Sequence, residues 1–413
     1  MNIIIITDSY YPEMAATAAC LDKFIQKLKV KYHFDIIDLL NRTISEPLND
    51  SSIKVHHVSN FLWKLRIRCA DNIRNGKWIY LSKIVILLFK IKSLLMINFT
   101  YPSSASWSLN AYYLELERIN TTKKIDVIIS LSDPICCSLA ALKFKKRHPK
   151  VKWINYFMDP FTLSPSKYRY LLFKEKRKRK NYKTEKEIYD HADLNLLTEE
   201  IYKLALSEFK QPKSKTFSTK YVLSKISEPT FMRTGFYREN EINLVYAGMF
   251  LKDKRNPKRC LSVLSQVSGI TFDMFVRYSN CDRDIAPYLS PSIRQHPSVD
   301  RKRYEEIISN EYDILVNIGN NFSLQIPSKM LELLSTGRPI INFYQLKDVH
   351  YEMIEKYPLG INIGPDDIDA VERVSDFCQR MKGRRMAFEE VEKLFPENTL
   401  DNQLALLERL IEA

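Results

Sequence analysis

Lys329 and Glu332 are the residues whose types and spacing first suggest chemistry. They lie three apart in Pro327-Ser328-Lys329-Met330-Leu331-Glu332, which reads as the first turn of a helix. Proline costs nothing there, because its missing N–H would go unbonded anyway, and residues three apart share a face. Free N–H groups and the macrodipole make a helix N-terminus a seat for phosphate. A lysine at that point can hold a diphosphate, and a carboxylate one turn on can accept both hydroxyls of a ribose. Two further acids follow apolar strands, where open α/β sheets bind ligands. They are Asp133, after Lys123–Ser132, and Asp159, after Trp153–Phe157. Each precedes a proline, so each also reads as a plain turn initiator.

The elements that must position these residues alternate strand and helix. Ile314-Leu315-Val316 reads as a buried strand and Asn317-Ile318-Gly319-Asn320-Asn321 as the turn leaving it. Met330, Leu331, Leu333 and Leu334 give the following helix an apolar side. Gly337 is expected to close it as a left-handed cap, with Pro339-Ile340-Ile341 beginning the next strand. Ile3–Thr7 and Phe34–Leu39 read as strands around a helix over Ala15–Leu28, and Leu139–Lys146 as the helix after Asp133-Pro134. Residues 191–198 close this alternation, and 211–240, rich in Ser, Thr, Lys and Pro, read as a connection. The pattern resumes at Asn243–Ala247, Phe272–Arg277 and Gly360–Ile363, and Thr399–Glu412 reads as a final helix. The expected fold class is therefore α/β: two Rossmann-like domains with parallel sheets facing a cleft. Their expected bounds are 1–225 and 240–395, with 396–413 as a C-terminal helix.

Composition narrows the partners. The 413 residues suit two domains, and 45% hydrophobic residues can fill their cores. A formal net charge of +14 implies an acidic partner such as a nucleotide, a nucleic acid or anionic lipid. Seven scattered cysteines without a CxxC pair argue for reduced thiols and against zinc or a disulfide framework. The opening Met1–Ile6 is too short for a signal sequence, and the chain is expected in the cytoplasm. Phe61–Arg68 interleaves apolar and basic residues, and the apolar run Trp78–Ile97 is interrupted by Lys83, Lys90 and Lys92. These lysines disfavour a membrane span and fit either an interfacial amphipathic helix or a core helix with snorkelling lysines. The basic stretch 167–186 is by default a solvated helix face. Anionic headgroups are a further partner for it, and no nucleic-acid module accompanies it.

The segment QIPSKMLELLSTGRPII, with Asn320 before it, resembles the donor-binding signature of retaining GT-B glycosyltransferases of family four, in the subgroup carrying N…QxPSKxxE. Trp153–Phe161 resembles that subgroup's W-x5-D-P-[WF], and residues 192–198 its A-D-x4-T. Tyr246–Pro257 resembles the family's opening C-terminal strand, glycine loop and basic residue. The resemblance covers the C-terminal half well and the N-terminal half in patches. It implies that Gly248 admits a diphosphate close to the backbone and that Arg255 or Lys254 supplies countercharge. By the same likeness Asn320, Gln325, Ser328, Lys329 and Glu332 complete the donor site, Tyr278-Ser279-Asn280 lies near the base, and the final helix packs across both domains. Two positions depart from the pattern. Leu324 stands where the family has its first glutamate, and Met14-Ala15-Ala16-Thr17 replaces a glycine pair.

Resemblance and composition together imply a metal-independent retaining hexosyltransferase without cofactor. Its donor would be a UDP- or GDP-sugar and its acceptor a glycan, lipid-linked, in bacterial-type surface polysaccharide assembly on the inner membrane face. Asp133 and Asp159 would position acceptor or donor sugar. Rival readings are a sugar-nucleotide epimerase, a non-enzymatic assembly protein with a degenerate site, and a nucleic-acid binder. Asp282-Arg283-Asp284 is discounted as a metal motif because no nucleotide domain precedes it, and His296 reads as structural.

Overall fold

The computed structural model describes residues 1–43, 48–103, 105–168, 171–226, 237–322, 324 and 329–413. Contacts divide the chain into two compact units, Met1–Lys220 with Gln403–Ala413, and Tyr221–Asn402.

The first unit runs β1 (Asn2–Ile6), α1 (Ala16–Leu28), β2 (His33–Leu39), β3 (Ile53–Val58), α2 (Phe61–Arg74), α3 (Ile79–Met96) and α4 (Trp107–Thr122). It continues with β4 (Val127–Leu131), α5 (Cys136–Arg147), β5 (Lys152–Phe157), α6 (Lys174–His191), β6 (Leu194–Thr198), α7 (Glu199–Ser207) and β7 (Thr216–Thr219). Its described strands form one parallel sheet, ordered β3-β2-β1-β4-β5-β6-β7. Ile3 to Ile6 are almost fully enclosed, as a strand covered on both faces by helices requires. The edge strand β7 lies inside the stretch read as connection. Its lysine-rich flank hid it, and Lys215 uses that flank to cap the carbonyls of Tyr189 and Asp190 at 2.8 and 2.9 Å.

The second unit runs β8 (Ile242–Phe250), α8 (Lys258–Leu264), β9 (Ile270–Ser279), α9 (Asp282–Ile285), β10 (Ile293–Pro297), α10 (Arg301–Glu306) and β11 (Ile314–Ile318). Then come α11 (Lys329–Ser335), β12 (Ile340–Phe343), α12 (Val349–Lys356), β13 (Gly360–Ile363), α13 (Ala370–Met381) and α14 (Phe388–Leu394); α15 (Leu400–Glu412) ends the chain and starts in this unit. The sheet is again parallel, ordered β10-β9-β8-β11-β12-β13. Gly337 closes α11 at φ +68, as the sequence predicts. A Cβ there would stand 1.9 Å from the Met386 carbonyl oxygen, so glycine is demanded by both dihedral and space.

Both sheets reverse strand order once, between β1 and β4 and between β8 and β11. In doubly wound sheets that switch point, at the carboxyl ends, is where ligands bind. From Gln403 onward α15 belongs to the first unit. There Lys31 reaches Glu408 at 2.6 Å, and the Tyr32 hydroxyl donates to Glu412 at 2.8 Å.

Candidate functional site

At the switch point of the second unit, Gly248 lies near the C-terminal end of β8, where the register with β9 shifts, and β11 is followed by Gly319-Asn320. Arg255 folds back from the loop after β8 and donates to the Asn320 side-chain oxygen through Nε at 3.2 Å and a terminal nitrogen at 2.9 Å. Asn320 is itself buried. Lys329, the first residue of α11, brings its ammonium between two phenol rings, 5.3 Å from the Tyr246 centroid and 5.6 Å from that of Tyr304. The Tyr246 hydroxyl donates to the Met249 carbonyl at 3.0 Å and lies beside the Arg255 guanidinium. Gly248 is the position that lets these groups meet. A Cβ on it would lie 2.6 Å from the Tyr246 hydroxyl oxygen and 2.9 Å from Lys329 Nζ.

Electrostatics follow from this crowding. Burial, then the Arg255 charge, push the Lys329 ammonium down to about 7, with Glu332 working in the opposite sense and Arg301 adding to the lowering. Glu332 Oε1 accepts from Arg301 of α10 at 3.0 Å, and Arg301 also holds Glu305 at 2.7 Å. The structure thus brings Gly248, Arg255, Asn320, Lys329 and Glu332 into one neighbourhood. Lys254 enters through its main chain, its carbonyl accepting the Asn321 N–H at 2.9 Å. Gln325 and Ser328 lie outside the described residues, as does Pro327. Leu324 sits half-buried in the loop before α11, and Tyr278 stands exposed near the end of β9. Sequence reasoning missed Tyr246, Tyr304 and Arg301. The tyrosines looked like ordinary core, and Arg301 looked like one charge among several in Arg301-Lys302-Arg303. His296 belongs to a different cluster, where its ring meets buried Asp273 at 2.6 Å beside Arg294 and the Tyr312 hydroxyl.

The first unit carries a second cluster of opposite sign at its own switch point. Asp8 follows β1, Asp133 follows β4 and Asp159 follows β5. Burial, then Asp133 and Asp38, raise the Asp8 carboxyl to about 6, with Arg66 opposing. Asp38 is fully enclosed, accepting N–H bonds from Tyr10 at 2.8 Å and Tyr11 at 3.1 Å and meeting the His57 ring at 2.6 Å. Asp133 faces Lys167 at 3.5 Å. The loop bearing Asp159 is pinned by buried Glu185, which accepts from the Thr162 N–H at 2.8 Å and the Tyr189 hydroxyl at 2.9 Å. Asp8 follows an apolar strand as Asp133 does, and that position is the signal by which the sequence could have shown it.

A third feature is a surface of the first unit. Of the residues of α3 only Ser82 is buried, which removes the core-helix reading of Trp78–Ile97. Tyr80 is 85% exposed, and Leu81, Ile84, Leu87, Leu88 and Leu95 are open beside Lys83, Lys90 and Lys92. The start of α6 joins this patch. The Leu172 N–H donates to the Asn98 side chain at 2.8 Å, Arg177 donates to the Thr100 carbonyl at 3.1 Å, and Lys180 lies 3.9 Å over the Tyr101 ring. Exposed Leu172 and Phe173 thus stand next to the exposed cations Lys174, Lys176, Lys178 and Arg179. Among the described residues no helix is long and apolar enough to cross a membrane.

No protein-family model matches the chain, and no curated protein sequence matches it. Solved structures do. Sucrose-phosphate synthase from Thermosynechococcus elongatus superposes with a TM-score of 0.67 at 11% identity, over 100% of this chain and 98% of that one. A glycosyltransferase from Rickettsia africae gives 0.64 at 11% identity, over 100% and 97%. An E. coli trehalose-6-phosphate protein bound with UDP-2-fluoro glucose gives 0.63 at 11% identity, over 100% and 99%. At such identities the likeness concerns architecture: two parallel-sheet, Rossmann-like α/β domains arranged in sequence as in these enzymes. The chain has the GT-B glycosyltransferase fold.

Proposed function

We propose that the protein is a glycosyltransferase that takes a hexosyl group from a UDP- or GDP-sugar and gives it to a glycan acceptor. The reading is of a metal-independent, retaining enzyme, and the acceptor is lipid-linked, as in surface polysaccharide assembly. One observation carries it: at a switch point the Lys329 ammonium lies beside Gly248 with the Arg255 charge near enough to push it down, two cations turned to one place. A nucleoside diphosphate supplies that anion. One of the similar structures is bound with UDP-2-fluoro glucose, which supports this donor class.

In the proposed reaction the bond between the anomeric carbon and the diphosphate oxygen breaks, and its electron pair stays on the phosphate. Arg255, Lys329 and the first N–H groups of α11 meet the growing negative charge with donors already in place. Glu332, steadied by Arg301, accepts the ribose hydroxyls, and Asn320 fixes the plane of the Arg255 guanidinium. The acceptor hydroxyl attacks on the face the diphosphate leaves, and its proton passes to the departing phosphate oxygen. Asp133 and Asp159 bind sugar hydroxyls at the carboxyl edge of the first unit's sheet. The apolar and basic surface of α3 and the start of α6 rests on anionic lipid at the inner face of the cell membrane.

Leu324, in place of a sugar-contacting glutamate, favours a second reading, an assembly protein that binds nucleotide without turnover. Radiolabelled nucleotide sugars incubated with membrane lipid extracts decide between them. Label entering the lipid fraction is expected. Nucleotide binding with no transfer would leave the second reading, and an altered sugar nucleotide formed without acceptor would mean an epimerase.

A further inference from the structure

A groove of about 530 Å³ opens between α2, the C-terminal half of α3 and the start of α4. Its volume is that of a small-molecule site. Trp63, Phe89, Met96 and Trp107 line it, with the two indoles tilted at 52° and 5.8 Å apart. Trp63 is fixed by donating its indole N–H to the Leu40 carbonyl at 2.6 Å, so this wall is built on the sheet of the unit. The rim is cationic. Lys90 and Lys92 stand on the α3 side, and the Arg66 guanidinium lies 4.6 Å over the Trp63 ring. The Arg66 charge also reaches the carboxylate cluster, where it lowers Asp8 against burial and the neighbouring acids. An apolar trough therefore opens on the exposed, lysine-bearing surface and is rimmed by an arginine whose charge reaches the acidic end of the sheet.

We infer that this groove seats the hydrocarbon chain of one long-chain lipid phosphate, drawn from the membrane, with Arg66 pairing its phosphate and Lys90 and Lys92 at the mouth. The inference rests on the lipid-linked acceptor proposed above and adds where the lipid sits. Charge complementarity selects the occupant. A neutral lipid brings no charge to the three cations of the rim, and a protein helix would have to bring its own acidic stripe. Seated this way, whatever the phosphate carries is presented toward Asp8 and Asp133, while the chain stays shielded from water.

Farnesyl phosphate, kept below its micelle concentration, tests this on the full-length protein by calorimetry, without vesicles or nucleotide. Binding at least about tenfold tighter than that of farnesol or inorganic phosphate is expected. Arg66→Gln should remove that advantage while leaving farnesol unchanged. Ala105→Phe, which puts a ring into the groove, should abolish binding of both. Lys90→Glu with Lys92→Glu serves as a second variant on solvent-exposed positions, where folding is not at stake, and should weaken farnesyl phosphate several-fold. Equal binding by wild type and Ala105→Phe, or no preference for the phosphate, would overturn the inference. So would a dimer that Ala105→Phe disperses and farnesyl phosphate does not, because a second copy would then own the groove. UDP and GDP affinities measured on the same samples separate the two proposals. Nucleotide binding without farnesyl phosphate binding defeats only the groove, and the converse defeats only the donor site.

Discussion

The carboxyl edges of the two sheets share a topology and differ in charge. Beyond β8 and β11 the chain brings Arg255 and Lys329 together, with Arg301 of α10 nearby; beyond β1 and β4 it brings Asp8 and Asp133 together, and Asp159 follows β5. Burial and like charge then act on each in mirror image. They drag an ammonium down to about 7 and lift a carboxyl to about 6. A doubly wound sheet thus supplies the place, while the loops decide whether it suits a diphosphate or the hydroxyls of a sugar. Charges of one sign held close together cost stability, so each edge is a place where the fold gives up something a ligand can return.

The strongest way to break the contrast is Lys329→Met. Charge-assisted hydrogen bonds contribute roughly 1.5–3 kcal/mol, so nucleoside diphosphate affinity should fall about 100-fold. The same change should raise the melting temperature near neutral pH, because a cation held in a crowded site disappears. The sign follows from linkage. Between about 7 and 10.5 the unfolded chain binds the proton that folded Lys329 has lost, so wild-type stability rises with pH there and the variant's advantage shrinks. A variant that loses both stability and affinity would make Lys329 a structural residue.

Asp8→Asn is the mirror test. Asp8 titrates at 3.8 unfolded and about 6 folded, so stability falls as pH rises between those values and the cost is complete above 6. The variant should be more stable than wild type by on the order of 3 kcal/mol above that range. The gain should vanish below the unfolded value, as urea titrations at several pH values can measure. Gly248→Ala sharpens the donor side alone. The added methyl meets the buried Tyr246 phenol as well as the Lys329 ammonium, so nucleotide affinity should drop about tenfold and the melting temperature should fall with the displaced ring. The smallest effect belongs to Asp133→Asn. Removing one negative neighbour should lower the Asp8 titration by less than about one pH unit in carboxyl NMR.

Much of this was legible in the sequence because strands buried on both faces are written as unbroken apolar runs. Ile3–Ile6, Val127–Leu131 and Ile314–Ile318 announce themselves, and so do the acids, the glycine and the lysine that follow such runs. β3 and β7 were not legible. Ile53–Val58 spends two of its positions on histidines whose partners, Asp35 and Asp38, come from the neighbouring strand. Thr216–Thr219 is an edge with few apolar residues. Long-range pairings escape for the same reason: nothing near Lys329 says that Tyr246 and Tyr304 will enclose it. The apolar run at Trp78–Ile97 fits an interfacial or a core helix by composition alone, and only the fold, which leaves that helix open to solvent, removes the core reading.

Calorimetry of UDP and GDP binding near about pH 8.5, in two buffers of different ionisation enthalpy, tests the central claim most directly. If Arg255 and Lys329 converge on one diphosphate, the bound anion restores the Lys329 charge, and binding takes up close to one proton per nucleotide. That uptake should disappear in Lys329→Met. Heats that do not depend on the buffer, together with an affinity that the variant leaves unchanged, would contradict the account.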